Sequence, residues 1–388
     1  MGSGRPPRVA LVVADSMGVG AMPDAEQYGD AGSDTLGHIC EHHDVVMPNL
    51  AAMGLCSIRP LRGQADRGNS GAFGKMATAG AGKDTIAGHW EIAGCKVVEP
   101  FTTYYDGFPP ALMAEFEEAC AAGYLGNVAA SGTEIIQRLG AEHQRTGHPI
   151  VYTSADSVFQ VAAHEGVIPL WRLYAICEAA FEVVKKWGIA RVIARPFVGV
   201  EGAYVRTENR RDIAVLPPRD TIVSVLERAG IPTCSVGKIK SIYGDRGFSQ
   251  AIKAGNNTTI MQATIDAVRE ARGGLVFSNL VDFDMLYGHR RDPEGYARAI
   301  ETFDRRLPEL CDALGDDDLL VIVADHGNDP TAPGSDHTRE YVPVLAWRRG
   351  IGRVDLGTRG TLSDAGATVA EWLGVVSPEG ESFAGALR

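Results

Sequence analysis

The chain has 388 residues, 45% hydrophobic and 22% charged, with a formal net charge of −12. That is the make-up of a soluble globular protein of two or three domains, long enough to bury a large core. The negative balance argues against a nucleic-acid or anionic-membrane partner, but leaves room for a small anionic substrate drawn by metal ions or local arginines.

In chain order, residues 1–7 offer no signal-peptide core, and Pro6 departs from the myristoylation pattern. Arg8–Ala14 predicts a buried strand that ends at Asp15 and a Gly-rich turn. The stretch 63–94, rich in Gly, Ala and Thr and short of large apolar residues, predicts an ordered active-site loop and not a core element. Pro100, Pro109-Pro110 and Pro217-Pro218 punctuate the middle of the chain. Between them lie strands at 149–153 and 191–194 and helices at 112–121 and 170–186. This predicts an inserted domain, with boundaries 1–100, 101–217 and 218–388. Beyond it, helix and strand alternate: helices at 221–229, 258–271, 293–314 and 362–373, and strands at 233–236, 275–284, 319–324 and 342–347. The class is α/β, with a mostly parallel sheet flanked by helices and a smaller α/β insert. No stretch approaches the ~20 apolar residues of a spanning helix. The seven cysteines (Cys40, Cys56, Cys95, Cys120, Cys177, Cys234, Cys311) are scattered without a CxxC pair, as in a protein with reduced thiols. The expected location is cytoplasmic.

Near-continuous apolar runs read as parallel strands, and in such sheets ligands bind beyond the carboxyl ends. Three runs lead to aspartates: Asp15, Asp284 and Asp325. His289 follows Asp284 across a Gly-containing turn, His326 adjoins Asp325, and His337 sits in Gly-Ser-Asp-His-Thr at 334–338. Such a donor set suits Mn²⁺, Zn²⁺ or Fe²⁺. A single such pair is more often a hydrogen-bonded helix cap or surface loop; several at strand ends point to a metal site. Thr85, in Gly-Lys-Asp-Thr-Ile-Ala-Gly-His-Trp-Glu at 82–91, stands where a helix can begin. Its hydroxyl is either an N-cap or a nucleophile whose phosphate the helix dipole would favour.

The motifs at 15–25, 82–91, 281–292 and 324–341 resemble those of the bacterial phosphopentomutase family, in the alkaline-phosphatase superfamily of two-metal phosphoryl-transfer enzymes. The resemblance runs nearly end to end and includes Tyr-Thr-Ser-Ala-Asp-Ser at 152–157 and Ala-Arg-Pro-Phe-Val-Gly at 194–199. It implies an alkaline-phosphatase-like core with an inserted cap that selects substrate. It makes Thr85 the phosphate-accepting nucleophile, with one metal held by Asp15, Asp325 and His326 and the other by Asp284, His289 and His337. Three carboxylates against two divalent ions leave a net positive charge that attracts a phosphate monoester. Asp156 would contact the sugar hydroxyls, while Arg195, Arg210 and Lys238 would hold the phosphate not being transferred. The implied reaction interconverts (2-deoxy)ribose 1-phosphate and 5-phosphate through a phosphothreonine and a 1,5-bisphosphate, in nucleoside salvage. It uses two Mn²⁺ per chain and a sugar bisphosphate activator, ribose 1,5-bisphosphate or glucose 1,6-bisphosphate. No obligate protein partner is implied. The chain departs from the family's pattern at Lys240-Ser241, beside Lys238. The nearest alternative is another two-metal phosphotransferase or phosphatase, such as the phosphoglycerate mutases that use a serine. A catalytically dead, metal-stabilised binding protein would need a lost ligand or nucleophile, and every carried-over position is occupied.

Overall fold

Seven residues in a row, Arg8–Ala14, are buried. Successive strand side chains point to opposite faces, so burial at every position requires both faces of the sheet to be covered. The same holds for Gly274–Leu280 and Leu319–Val323. The computed structural model describes residues 5–65, 70–154 and 157–388. Its strands in chain order are β1 (Arg8–Ala14), β2 (Ala72–Met76), β3 (Leu125–Ala129), β4 (Ile150–Thr153), β5 (Val158–His164), β6 (Arg191–Val198) and β7 (Val205–Arg206). They continue with β8 (Arg211–Ala214), β9 (Thr233–Val236), β10 (Gln250–Ile252), β11 (Gly274–Leu280), β12 (Leu319–Val323), β13 (Val342–Trp347) and β14 (Val354–Arg359).

The chain divides into two compact units, Met1–Glu99 with Pro217–Arg388, and Pro100–Leu216. The first is built on a sheet of order β10-β9-β11-β1-β12-β13-β2-β14. Every pairing is parallel except the two made by β13, which runs against both β12 and β2. Helix Asn257–Glu270 packs on β11 and on helix Pro293–Ala313, while helix Ser363–Trp372 touches β1, β12 and helix Thr85–Ile92. With β1 between β11 and β12 in parallel register, their carboxyl ends share one rim. At their amino end, Asp318 is buried with a full set of donors: the Arg8 amide (2.7 Å), Arg8 Nε (2.9 Å), Arg5 Nη2 (2.7 Å) and the Gly315 amide (2.7 Å). Burial alone would raise the Asp318 carboxyl, but these donors hold it below its ordinary value.

The described residues of the Gly-rich stretch 63–94, expected to form an ordered loop, include core elements. They contain β2, a member of the main sheet, and the almost wholly buried helix Thr85–Ile92. Small residues are what this strand needs. A Cβ on Gly74 would meet the Gly357 carbonyl of β14 at 2.5 Å, so close backbone approach replaces side-chain bulk.

The second unit carries a sheet of order β3-β4-β5-β6-β7, with β8 also paired to β6. One face (Val151, Phe159, Val161, Ala163, Val192, Ala194) packs beneath helices Pro110–Cys120 and Leu170–Val184. The other (Ile150, Tyr152, Ala162, Phe197) lies beneath helix Gly132–Thr146.

Candidate metal centre

Asp15 follows β1 directly, Asp325 stands two residues beyond β12, and Asp284 lies past β11 in a wide π-helical turn, Phe283–Gly288. That turn, closed by the His289 amide on the Asp284 carbonyl (3.0 Å), returns His289 towards Asp284. The apolar run predicts a plain strand end at Asp284; the extra turn is what brings aspartate and histidine to one place.

The three histidines share one arrangement. The Nδ1 of each lies against a backbone carbonyl: His289 on Ser335 (2.6 Å), His326 on Gly327 (3.1 Å) and His337 on Lys83 (2.9 Å). A neutral ring donating from Nδ1 has a bare lone pair on Nε2, the tautomer a metal takes. The Nε2 atoms converge. That of His337 lies 3.2 Å from His289 Nε2 and 3.4 Å from Asp284 Oδ1, and His289 Nε2 is 3.1 Å from Asp284 Oδ2. His326 Nε2 lies 3.3 Å from Asp325 Oδ2 and 3.6 Å from Asp15 Oδ1. The clusters Asp15/Asp325/His326 and Asp284/His326/His337 each have the compactness of a cation site.

The electrostatics agree with that chemistry. Burial raises the Asp15 carboxyl well above its ordinary value, and the nearby charges of Asp325 and Asp284 push it the same way. Burial also opposes the charged Asp325 and Asp284 carboxylates, but His326 and His89 hold down the first, and His337 and His289 the second. Burial pushes His326 down to about 4, so its ring is neutral at pH 7. Asp15 Oδ1 is buried with no hydrogen-bond donor among the described residues, and Asp325 Oδ2 makes no well-aligned hydrogen bond, with only His89 Nδ1 (3.0 Å) and His326 Nε2 (3.3 Å) beside it. Orphaned carboxylate oxygens facing bare imidazole nitrogens are a costly arrangement that divalent cations would satisfy.

Thr85 is the first residue of its helix, but it is not the cap. The Asp84 side chain does that work, accepting from the Ala87 amide at 3.0 Å. The Thr85 hydroxyl lies instead 3.2 Å from His326 Nε2. Thr85, Asp15, Asp284, His289, Asp325, His326 and His337 therefore meet at one rim.

Known proteins resemble this chain in sequence and in fold. A model of the metalloenzyme superfamily matches residues 7–377. A phosphopentomutase of Caldanaerobacter subterraneus subsp. tengcongensis is 52% identical over 368 residues, 94% of this chain and 93% of that protein. One from Anaeromyxobacter dehalogenans is 52% identical over 379 residues, 97% of this chain and 98% of its own.

The chain belongs to the phosphopentomutase family.

As a family member it is a phosphosugar mutase, an isomerase. The fold extends to more distant proteins: the PH0037 protein of Pyrococcus horikoshii matches at a TM-score of 0.51 and 15% identity, covering 95% of this chain and 97% of that one.

Of the residues expected to bind substrate, Asp156 lies outside the described residues. Arg195, on β6, donates from Nε to Gln160 Oε1 at 3.0 Å, and burial, with Arg210 and Arg206 nearby, lowers its guanidinium to about 10. The Arg210 fork is engaged by its own unit, donating to both Asp212 oxygens at 2.6 Å. Lys238 belongs to the first unit, just past β9, with Nζ 3.5 Å from Met285 Sδ.

The resemblance gives no role to the residues that support this site, although Ser16, His89 and Asn328 lie within its motifs. Asn279 Nδ2 donates to Asp15 Oδ2 (2.9 Å) and Asn328 Nδ2 to Asp284 Oδ1 (2.8 Å). His89 Nδ1 lies 2.9 Å from the Thr85 carbonyl and 3.0 Å from Asp325 Oδ2. The chain does carry signals for them. Asn279 is a polar residue within an apolar strand, and His89 follows Thr85 by four residues, the spacing that stacks side chains on one helix face. Ser16, in the turn after Asp15, adopts a φ of 65° and places its amide 3.1 Å from Asp325 Oδ1. A left-handed non-glycine residue at this point is strain held in a site.

Proposed function

We propose that the chain interconverts ribose 1-phosphate and ribose 5-phosphate, and their 2-deoxy counterparts, with Thr85 as the phosphoryl carrier. The observation that carries this reading is the hydroxyl left out of helix capping by Asp84 and held 3.2 Å from His326 Nε2 at the metal-ligand rim. Phosphorylated Thr85 gives its phosphoryl group to the free hydroxyl of a sugar monophosphate. The Thr85 Oγ–P bond breaks, a sugar O–P bond forms, and the proton of the sugar hydroxyl passes to the released Thr85 Oγ. The resulting 1,5-bisphosphate then returns its other phosphoryl group to Thr85 Oγ, which leaves the isomeric monophosphate. A trace of ribose 1,5-bisphosphate or glucose 1,6-bisphosphate primes the cycle.

Two Mn²⁺ would be held by Asp15, Asp325 and His326 on one side and Asp284, His289 and His337 on the other. Bound cations there acidify the threonine hydroxyl and offset phosphoryl charge. Asn279 and Asn328 orient the carboxylates, and His89 ties the first turn of the helix to Asp325. Asp156, Arg195, Arg210 and Lys238 take the sugar and the stationary phosphate, Arg210 while keeping or exchanging its Asp212 partner. The setting is cytoplasmic nucleoside salvage.

Thr85→Ala tests the carrier. It should fold, keep its metal content, and convert no ribose 1-phosphate above background, because a mutase must store a phosphoryl group between half-reactions. After incubation with glucose 1,6-bisphosphate, peptide mapping should place phosphate on Thr85 in the wild type and nowhere in the variant. An active alanine variant, or phosphate on another residue, removes Thr85 from this role.

A further inference from the structure

In the inserted unit, strand register gathers several polar side chains on the sheet face beneath helix Gly132–Thr146. Tyr152 on β4 pairs with Gln160 on β5. Arg195 stands two residues before Phe197 on β6, and Arg206 on β7 lies opposite Phe197. Period-two alternation puts all four on the face that carries Ile150 and Phe197.

Three features of this face lack an explanation in the fold. Tyr152 is 1% exposed, and its hydroxyl has no hydrogen-bond partner among the described residues. A buried hydroxyl without a partner costs free energy that a phenylalanine would not. The 15-residue helix Gly132–Thr146 has no side-chain cap: Ser131 turns its hydroxyl to Thr133 Oγ1 at 2.9 Å, and Glu134 in the first turn is exposed. Finally, a Cβ added at Gly132 would collide with both Tyr152 Oη and Arg206 Nη2. The uncapped helix start, the orphan hydroxyl and a guanidinium therefore converge beside Gly132, where any side chain would displace one of them. Arg195 and Arg210 add positive charge close enough to act on Tyr152, and burial keeps the phenol protonated. An uncapped helix start, a buried O–H donor and planar guanidinium forks are what a tetrahedral dianion needs.

We propose that this place is a phosphate-monoester pocket in which Tyr152 and Arg206 contact the stationary phosphate of the pentose phosphate, together with Arg195 and the first amides of helix Gly132–Thr146. The proposal rests on the reading that the inserted unit selects a sugar phosphate. It adds to that reading two contact residues, Tyr152 and Arg206.

The test uses the full chain carrying Thr85→Ala and loaded with Mn²⁺, titrated calorimetrically with ribose 5-phosphate, with ribose and with inorganic phosphate. Arg206→Ala should weaken ribose 5-phosphate by roughly thirtyfold and Arg206→Lys by less, the scale of a lost charge-assisted pair. Tyr152→Phe should weaken it about fivefold, yet melt no lower than its parent without ligand, since it removes an orphan hydroxyl. A hydroxyl with a purely structural role would do the reverse. Folded Arg206→Ala and Tyr152→Phe proteins that bind both phosphate probes like the parent overturn the pocket. A parent that ignores ribose 5-phosphate but binds inorganic phosphate in an Arg206-dependent way keeps the pocket and overturns the sugar-phosphate reading. A parent that binds neither probe overturns both.

Discussion

The two ends of β1 and β12 treat buried carboxylates in opposite ways. At the amino end, Asp318 has Arg8, Arg5 and two backbone amides around it, and its pKa is held down. At the carboxyl end, Asp15 and Asp325 are as deeply buried but have no arginine beside them: Asp15 keeps an oxygen without a donor and its pKa is raised, and Asp325 is held down by the histidines His326 and His89. One end closes its charge balance within the chain; the other leaves it to ions from outside. Stability and function are thus separated along the same strands by about the length of the sheet. The difference follows from the strand ends themselves, since only the carboxyl ends of parallel strands open into a shared crevice.

That contrast can be broken from either side. The largest effect is expected from His326→Ala, which removes an imidazole facing both carboxylates and Thr85. Mutase activity should fall on the order of a thousandfold, with less metal per chain by elemental analysis. The metal-free unfolding curve should stay within about 1 kcal/mol of wild type. Full metal content in the variant would take His326 out of the ligand set.

Asp318→Asn should do the opposite. Breaking a buried pair while leaving the Arg8 charge behind costs about 3 kcal/mol of unfolding free energy, measured in urea, with metal content unchanged. The sign with pH is fixed by the lowered pKa of the folded carboxyl. The stability it confers is complete above the unfolded value of about 4 and is lost as pH falls through the folded value. The gap between wild type and variant should therefore narrow below about pH 4; a constant gap would mean that charge plays no part.

The smallest effect belongs to Asp84→Ala. Loss of this cap costs about 1 kcal/mol, and Asp84→Asn, which keeps an acceptor, should recover most of it. Circular dichroism melts would decide. If alanine costs nothing, then Thr85 shares the capping work, and its hydroxyl is less free than the structure indicates.

Much of this site is legible in the sequence alone, because its candidate ligands sit in short runs at the ends of apolar strands. Asp325 and His326 are adjacent, and Asp284 and His289 lie within six residues. The role of Thr85 is not legible there. Capping and phosphoryl transfer ask for the same residue types, and only the Asp84 contact to the Ala87 amide shows that Thr85 is not the cap. β2 escapes a reading by pattern because Gly74-Lys75 interrupts the apolar run between Phe73 and Met76, and its neighbours in the sheet are far away in sequence. Tyr152 and Arg206 stay hidden for a similar reason. They meet through strand register, a property of pairing that no local pattern carries.

The chain leaves the first unit after Glu99 and re-enters it at Pro217. Just inside those points, Arg219 Nη2 donates to the Lys96 carbonyl (3.1 Å), the Ile222 amide donates to the Ala93 carbonyl (2.7 Å), and the Lys96 amide donates to Glu379 Oε2 (3.2 Å). The two cut ends are thus stapled side by side. Seen as a polymer, the core is a chain with a closed seam, and the intervening 117 residues from Pro100 to Leu216 form a loop that costs little to lengthen, shorten or exchange. A turn of a few residues joining Lys96 to Arg219 would bridge the gap without moving either end.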